Sequence, residues 1–289
     1  MEEWQKQFYD NYVNNKLNDA ESLLCKNMPS SFIKFYPGIS DKNKNYSLKA
    51  LKDETLWMSS PNEFNDPFDC PMCIGEENII NQILEYLENC GINKFKEQLL
   101  NNISKDMKTK SEIASMIFNK QLKDIREQLF ISCLTDINNL KSSVMWAHYA
   151  NNHRGFCIEY DSKKLKELNY VYIPIKYSTL FEPSWMYSFH NSIKKLIFNS
   201  IYVKSNEWGY EKEWRFHDIN EKYKNQKGYT IKVQGTIKNV YLGYRVDKQL
   251  EKEIIEICRK KKINVYKMKM KNNSFQLQCE LIEDKKDSK

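Results

Sequence analysis

The sequence predicts an α+β protein whose strands form a mainly antiparallel sheet. Short runs rich in β-branched and aromatic residues recur along the chain, and most are bounded by Pro, Gly or Asn. Helical apolar spacing fills many of the intervals between them, and one long helical pattern at about 76–129 interrupts the strands. With 289 residues, we expect one elaborated domain rather than two small ones.

The elements follow in chain order from these local patterns. Residues 1–30 predict an N-terminal helical extension of one or two short helices that ends before Pro29. Strands are predicted over 31–36, 55–59, 130–134, 156–160, 171–177, 229–233, 237–242, 265–270 and 275–282. Helices are predicted over 47–52, 142–149, 163–168, 184–204 and 248–261. The main domain is therefore expected at 31–283, with a helical insertion at about 76–129 and a frayed tail at 284–289.

A segment with alternating charges is the first candidate for chemistry. If residues 210–216 form a β-strand, the side chains of Glu211, Glu213 and Arg215 point to one face. The other face would anchor in the core through Trp214. The alternative interpretation is a solvated ladder of opposite charges on the surface of a strand.

The loop that follows the second strand combines three prolines with several Asn and Asp residues. This composition predicts a rigid, hydrogen-bonded loop that holds Asn65, Asp66 and Asp69 in fixed positions. The loop also contains Cys70 and Cys73 in a C-x-x-C pattern. A zinc site would need a second ligand pair, which the sequence lacks, so we expect two ordinary cysteines and no metal.

A second concentration of polar and aromatic groups lies in the middle of the chain. Trp146, His148, Tyr149, His153 and Arg154 offer rings that stack on a base, imidazoles that can act as general bases, and a guanidinium that binds phosphate. The alternative is that the aromatic residues face the core and that residues 153–155 are a simple turn.

Composition and missing motifs limit the classes of function. The net charge of +7, from 45 basic and 38 acidic residues, permits binding to an anionic partner but is a mild imbalance. The Walker loop, G-x-G-x-x-G, H-E-x-x-H and nucleophile-elbow motifs are absent from the sequence. A polar N-terminus and short apolar runs predict a soluble cytoplasmic protein with reduced thiols and no membrane association.

Taken in order, these segments resemble the bacterial domain-of-unknown-function family 2971. The resemblance covers roughly residues 32–282 and rests mainly on N-D-P-F-D-C, M-W-x-H-Y and E-x-E-W-R. The matching segments are Lys34 to Tyr36, Ser59 to Cys70, Ile131 to Cys133, Met145 to Tyr149 with Arg154 and Gly155, and Tyr210 to Arg215. That family looks like a distant relative of the ADP-ribosyltransferase fold. The resemblance implies a split antiparallel β-sheet or sandwich that binds NAD in a cleft.

The resemblance also implies roles for individual residues. Lys34 or Tyr36 would take the role of the first-strand residue that binds NAD, and Ser132 that of the middle-strand serine. Glu211-x-Glu213 would match the E-x-E motif, with Glu213 as the catalytic glutamate and Glu211 as the base that activates the acceptor. A glutamate of this kind stabilises the oxocarbenium-like transition state as nicotinamide leaves.

Further residues complete the predicted site. Tyr149 or Tyr36 would hold the nicotinamide ring by stacking, and His148 and Arg154 are further candidates for binding NAD. The remaining cleft candidates are Asn65, Asp66, Asp69 and Arg215. The cluster of Asn65, Asp66, Asp69, His148 and Arg154 departs from the pattern of the transferases and could instead build a nuclease or a different site.

These implications lead to one leading hypothesis and two alternatives. The first is a bacterial toxin or phage-defence effector that uses NAD to modify a nucleic acid or a protein, in partnership with another protein of a defence or toxin–antitoxin system. The second is a nucleic-acid-binding or nuclease-type effector that does not use NAD. The third is a catalytically inactive sensor or scaffold, in which the glutamates merely pair with Arg215.

Overall fold

A computed structural model describes residues 2–39, 45–70, 120, 123–179, 198 and 200–283. The helices in this part of the chain are α1 Glu3–Val13, α2 Leu17–Asn27, α3 Tyr46–Asp53, α4 Ser143–Tyr149, α5 Ser162–Glu167 and α6 Lys248–Lys261. The strands are β1 Ser31–Tyr36, β2 Thr55–Ser59, β3 Leu129–Asp136, β4 Phe156–Asp161, β5 Ile173–Pro174, β6 Lys176–Ser178, β7 Val203–Ser205, β8 Glu213–Ile219, β9 Gly228–Lys232, β10 Ile237–Leu242, β11 Asn264–Met270 and β12 Leu277–Glu283. Short 3-10 helices span Pro61–Glu63, Ile137–Lys141, Asn206–Glu211 and Glu221–Tyr223.

Local sequence explains where several of these helices begin. Side chains at the start of a helix accept hydrogen bonds from backbone N–H groups that lack partners within the helix. Asp247 does so at the start of α6, and Asp161 at the start of α5. The hydroxyl of Ser142 caps α4 in the same way, through the N–H of Met145.

The large sheet confirms the predicted α+β class with mainly antiparallel pairing. Its strand order is β12-β11-β10-β4-β1-β3-β2-β9, with β8 and β5 added beside β3. All recorded pairs in this sheet are antiparallel except β10 with β11, which α6 connects. Strands β6 and β7 form a separate parallel pair.

The sheet divides at β3. Strand β8 pairs with one side of β3 from Leu129 to Thr135. Strands β1 and β2 therefore share the other side: β1 pairs only with Thr135 and Asp136, and β2 only with Ile131. Between these contacts, β3 has neither strand beside it, and the sheet opens.

Apolar side chains cover both faces of the sheet. On one face, α1, α2, α3, α5 and α6 contribute to a large core that also includes Phe32, Leu134 and Trp214. On the other face, Ile33 and Phe35 pack with Met145 and Trp146 of α4 in a smaller cluster. Successive side chains of a strand point to opposite faces, so the neighbours Phe32 and Ile33 of β1 belong to different cores.

Two predicted elements differ from the structure. The strand predicted at 210–216 begins only at Glu213, because residues 206–211 form a 3-10 helix and Lys212 adopts a positive φ of 47°. The helix predicted at 184–204 does not reach its predicted end, since Val203–Ser205 is strand β7.

The predicted N-terminal extension consists of α1 and α2, which pack directly on the core. Phe8 is 1% exposed, and the Tyr9 hydroxyl donates to the carbonyl of Pro174. The ring of Trp4 stacks on that of Trp214 at 6.2 Å. Helices α1 and α2 thereby bury part of the same core as the sheet.

Some predictions fall outside the described residues. These are most of the helical insertion at about 76–129, Cys73, and the tail at 284–289. In the ranges that the structure covers, none of the helices has the length and apolar character needed to cross a membrane.

Candidate active site

A cavity of ≈ 180 Å³ lies where β1 separates from β3. Two strands, β1 and β3, supply its walls on the sheet side, and α4 contributes Met145 and Tyr149. Charged groups converge on it from the loop after β2 and from β7, the 3-10 helix at 206–211 and β8. These charged residues are Asp69, Lys204, Glu211, Glu213 and Arg215, and Lys34 joins them from β1.

Arg215 is the fixed centre of this charged cluster. It is 1% exposed, and its five N–H donors all have acceptors. Its terminal nitrogens bind the two oxygens of Asp69 at 2.8 and 2.7 Å, and Nε binds Glu213 Oε1 at 2.7 Å. The remaining two donors go to Glu213 Oε2 and the carbonyl of Ile201. The guanidinium is therefore held by its full set of hydrogen bonds.

Lys204 connects the three carboxylates. Its Nζ lies 2.7 Å from Glu211 Oε2, 3.2 Å from Glu213 Oε2 and 3.5 Å from Asp69 Oδ2. Burial lowers the pKa of this ammonium group, but the nearby charges of Glu213, Glu211 and Asp69 outweigh that effect and raise it. Lys204 is therefore a permanent cation at neutral pH.

The two glutamates have opposite protonation tendencies. Burial raises the pKa of Glu213, but the charges of Arg215 and Lys204 outweigh burial and hold this pKa far below its usual range. Burial and the charge of Glu213 raise the pKa of Glu211, and Lys204 only partly offsets the rise. The two carboxyls titrate together. Within the pair, Glu213 is the group that stays ionised, and Glu211 is the group that takes up and releases a proton.

A network of backbone contacts positions Glu211. The carbonyl of Glu211 accepts hydrogen bonds from the Thr135 hydroxyl and from Asn139 Nδ2, the latter at 2.7 Å. Asn139 also binds the carbonyl of Tyr210 at 2.8 Å. The Tyr149 hydroxyl donates to Glu211 Oε1. Although Glu211 precedes β8, these bonds bring its carboxylate to the one that β8 carries.

Lys34 reaches the cavity through the opening in the sheet. It leaves β1 on the side opposite to Ile33 and Phe35, and its Nζ donates to the carbonyl of Cys133 at 3.0 Å. Burial lowers the pKa of Lys34, while Cys133 and Glu213 counteract this shift. Burial, with the adjacent charge of Glu213, raises the pKa of the Cys133 thiol well above its usual value. Cys133 is thus a neutral thiol rather than a ready nucleophile.

The structure brings together seven of the residues singled out in the sequence. Those that line the cavity are Lys34, Asn65, Asp69, Tyr149, Glu211, Glu213 and Arg215. His148 lies at the rim, where its exposed ring approaches the Tyr210 hydroxyl at 3.2 Å. Asp66 instead stabilises its own loop by accepting a bond from the N–H of Phe68. Arg154 is exposed on the turn after α4 and is not part of the cavity lining.

Two predicted NAD-binding residues are corrected by the structure. Ser132 is fully buried and accepts a hydrogen bond from Tyr172, because alternation along β3 points it away from the face that Cys133 and Arg215 share. Tyr36 is 8% exposed in the large core, where its hydroxyl pairs with that of Tyr160. Neither side chain lines the cavity.

Three residues of the candidate site were missed in the sequence: Lys204, Thr135 and Asn139. Lys204 lies at the end of a segment that reads as a helix, so its strand geometry and partners were not apparent. Asn139 is buried in a 3-10 helix and contacts residues about 70 positions away, which no local pattern reveals. The only available signal for Thr135 was its place on the same strand face as Cys133.

This arrangement suits proton transfer next to a fixed negative charge. A carboxyl with a raised pKa can accept a proton from a bound hydroxyl or amine, and an ionised neighbour stabilises positive charge as it develops. Lys204 and Arg215 supply the positive charges between the carboxylates. Among the residues that the structure describes, no group of three or more His, Cys, Asp or Glu side chains could hold a metal ion.

Comparisons with known proteins find one partial match to a family model. A family model described as Protein of unknown function (DUF2971) matches residues 145–216. This range begins in α4 and ends in β8, so it contains Tyr149, Lys204 and both glutamates. Searches of curated proteins and of solved structures find no significant match.

Proposed function

We propose that this chain, whose residues 145–216 match the family model described as Protein of unknown function (DUF2971), is an NAD-consuming enzyme with ADP-ribosyltransferase-like activity. It would release nicotinamide and transfer ADP-ribose to a nucleic acid or protein. The biological setting we propose is a bacterial toxin or phage-defence system, with a partner protein that controls it. This setting rests on the resemblance described above.

The observation that carries the proposal is the pair of glutamates with opposite protonation tendencies. Cleavage of the bond between nicotinamide and ribose builds positive charge on the sugar, as in glycoside hydrolysis. Glu213, held ionised by Arg215 and Lys204, provides negative charge to stabilise it. Glu211, with its raised pKa, is the group that accepts a proton.

The proposed reaction balances without a further reagent. The C1′–N bond of NAD breaks, and nicotinamide leaves with the bonding electron pair. An O–H or N–H group of the acceptor then forms the new bond to C1′. Its proton passes to the carboxylate of Glu211, which later releases it to water. Both oxygens of Glu213 are already bound by Arg215, and Oε2 also by Lys204, so we assign it the role of a fixed charge.

The cavity fits part of NAD. Its ≈ 180 Å³ is smaller than the range of about 300–1,000 Å³ that is typical of pockets for whole drug-sized ligands. It therefore suits the reacting end of the dinucleotide, the nicotinamide ring or its ribose. Phe35, Phe64 and Tyr149 in the lining offer aromatic surface for a planar ring.

The division of the sheet supports the same proposal. The resemblance implies a split antiparallel sheet with NAD in a cleft, and here the cavity lies where β1 leaves β3. Lys34 on β1 and Glu213 on β8 both belong to its lining, as the implied first-strand and E-x-E roles require.

One observation favours a second candidate function, a catalytically inactive sensor or scaffold. Arg215, Asp69 and Glu213 satisfy each other's hydrogen bonds within the core. Such a network would persist in a protein without activity. Glu211 supports the first candidate, because its partners are Lys204 and Tyr149 rather than Arg215.

The test is nicotinamide release from NAD by the purified full-length protein. We expect Glu211→Gln to lower the rate by about 10²–10⁴-fold, the usual contribution of a general acid or base. The rate of the unmodified protein should fall as the pH falls through the raised pKa of Glu211, because the base must be ionised to accept a proton. A matched control is Glu251→Gln. Glu251 lies on helix α6, away from the cavity, and pairs with Lys267 of β11.

Three results would contradict the proposal. The first is a folded protein that releases no nicotinamide with any acceptor, which would favour the scaffold. The second is full activity in Glu211→Gln. The third is strand cleavage of RNA or DNA without NAD, which would favour a nuclease.

A further inference from the structure

Four ring side chains form a partly exposed group beside the carboxylate of Glu211. We call them the aromatic rim: His148, Tyr149, Trp208 and Tyr210. His148 is exposed and the other three are half-buried. The group is contiguous, since His148 contacts both tyrosines and Trp208 contacts Tyr210. It is also tied to the active site, because Tyr149 donates to Glu211.

The rings of the rim leave aromatic surface uncovered. His148 meets Tyr149 and Tyr210 at interplanar angles of 71° and 78°, with ring centroids about 6 Å apart. Trp208 and Tyr210 are tilted by 39° at 6.2 Å. Elsewhere the fold stacks rings closely, as in Tyr223 with Tyr229 at 4.2 Å and 7°. No pair within the rim is stacked in this way. Lys204 Nζ lies 4.9 Å from the centroid of the Trp208 ring, and Tyr149 and Tyr210 pack against the smaller apolar cluster, so a planar ligand would contact the exposed parts of these rings.

From this geometry we infer that the aromatic rim binds a nucleobase of a single-stranded nucleic acid, which is the acceptor of ADP-ribose. The inference rests on the proposed function and specifies its acceptor. Successive aromatic side chains that are open to solvent form stacking platforms for unpaired bases, because every base presents a π face. A paired base within a duplex does not expose that face.

The position of the rim agrees with such an acceptor. A base stacked there lies next to Glu211, so an N–H group on its edge can form the bond to C1′ and give its proton to that carboxylate. Exposed lysines stand close by in the chain: Lys212 follows Glu211, and Lys141 ends the 3-10 helix that contains Asn139. They can contact the phosphates of a strand whose base is held in the rim.

The first experiment measures binding without NAD. A fluorescent 12-nucleotide single strand is titrated with the full-length protein, in parallel with the same strand as a duplex and with an abasic strand. We expect the intact single strand to bind most tightly. We expect Trp208→Ala and His148→Ala each to weaken that binding by about 5- to 150-fold, the effect of losing one stacking contact. Trp57→Ala, which changes an exposed tryptophan on β2, should bind like the unmodified protein.

The second experiment follows labelled ADP-ribose in the presence of the single strand. We expect the label on the oligonucleotide, and we expect Trp208→Ala to lower the ratio of modified strand to released nicotinamide at least tenfold. Equal binding of the abasic strand, or label on protein alone, would overturn the inference.

The two proposals fail in distinguishable ways. If no nicotinamide is released, the proposed function is wrong, whatever the oligonucleotide does. If nicotinamide is released but the single strand is neither bound nor modified, only the assignment of the acceptor is wrong. Circular dichroism of each variant establishes that it is folded.

Discussion

At the scale of single residues, the site depends most on Arg215. A buried ion pair adds little stability relative to an apolar replacement of both partners, but removal of one partner leaves the other charge buried and uncompensated. Arg215 serves two carboxylates at once, and both of them are less than 10% exposed. Among the described residues, its loss would leave Lys204 as the cation that pairs with both Asp69 and Glu213.

We predict that Arg215→Met lowers the free energy of unfolding by about 3–5 kcal/mol, the usual effect of breaking a buried pair. Arg215→Lys should also destabilise the protein, because an ammonium group cannot bind two carboxylates through a planar fork. Urea unfolding followed by circular dichroism measures both. Lys49→Ala, which breaks an exposed pair with Asp53, is the control and should leave the midpoint unchanged. An unchanged midpoint in Arg215→Met would contradict the prediction.

At the scale of elements, the 3-10 helix Asn206–Glu211 sets the position of the ionisable glutamate. Its end is held by side chains from the β3 region, Thr135 and Asn139, and not by the strand that follows. The positive φ of Lys212 then turns the chain into β8. The position of Glu211 therefore depends on tertiary hydrogen bonds.

We predict that Thr135→Val destabilises this attachment, whereas Thr135→Ser preserves it. Loss of this hydrogen bond costs about 0.5–1.5 kcal/mol in the free energy of unfolding, because the Glu211 carbonyl keeps its bond from Asn139. Because Thr135 acts through Glu211, the valine variant should lower kcat for nicotinamide release more than it raises KM, and should change the pH profile. The serine variant should restore both. Equal kinetics in the two variants would argue against a positioning role.

At the scale of the whole molecule, the two N-terminal helices and the active-site strand share one core. Helix α1 covers Trp214, whose neighbours in β8 are Glu213 and Arg215. Phe8 of α1 is 1% exposed. Tyr9 and Tyr12 of the same helix contact Phe198, which precedes Lys204 in the chain. The N-terminal helices therefore support the site from behind.

We predict that Phe8→Ala lowers the free energy of unfolding by about 3–5 kcal/mol, the usual effect of removing a buried aromatic ring. Phe275→Ala removes a fully exposed ring and should change it by less than about 0.5 kcal/mol. Chemical unfolding of both variants measures the difference. A stable Phe8→Ala protein would mean that α1 is a dispensable attachment.

Sequence patterns predicted the elements better than the contacts between them. Strands such as β2 and β10 and helix α6 have their predicted bounds, because local alternation and capping residues determine them. The face of Ser132 depends on the register between β3 and β8, which no local pattern encodes. Glu211 was predicted to join Glu213 by strand alternation; the two do meet, but through the 3-10 helix and Lys204. The lysine itself was missed because its partners are distant in the fold.

The division of the sheet has a consequence for how relatives can diverge. The opening beside β3 is set by where β1 and β2 pair with that strand. Of the five central charged residues, Lys204, Glu213 and Arg215 stand on strands, and Glu211 is bonded to the β3 region. Asp69 is the exception, because it stands in the loop after β2 and binds Arg215. The other loops around the entrance can therefore differ in length and sequence while Lys204, Glu211, Glu213 and Arg215 keep their places.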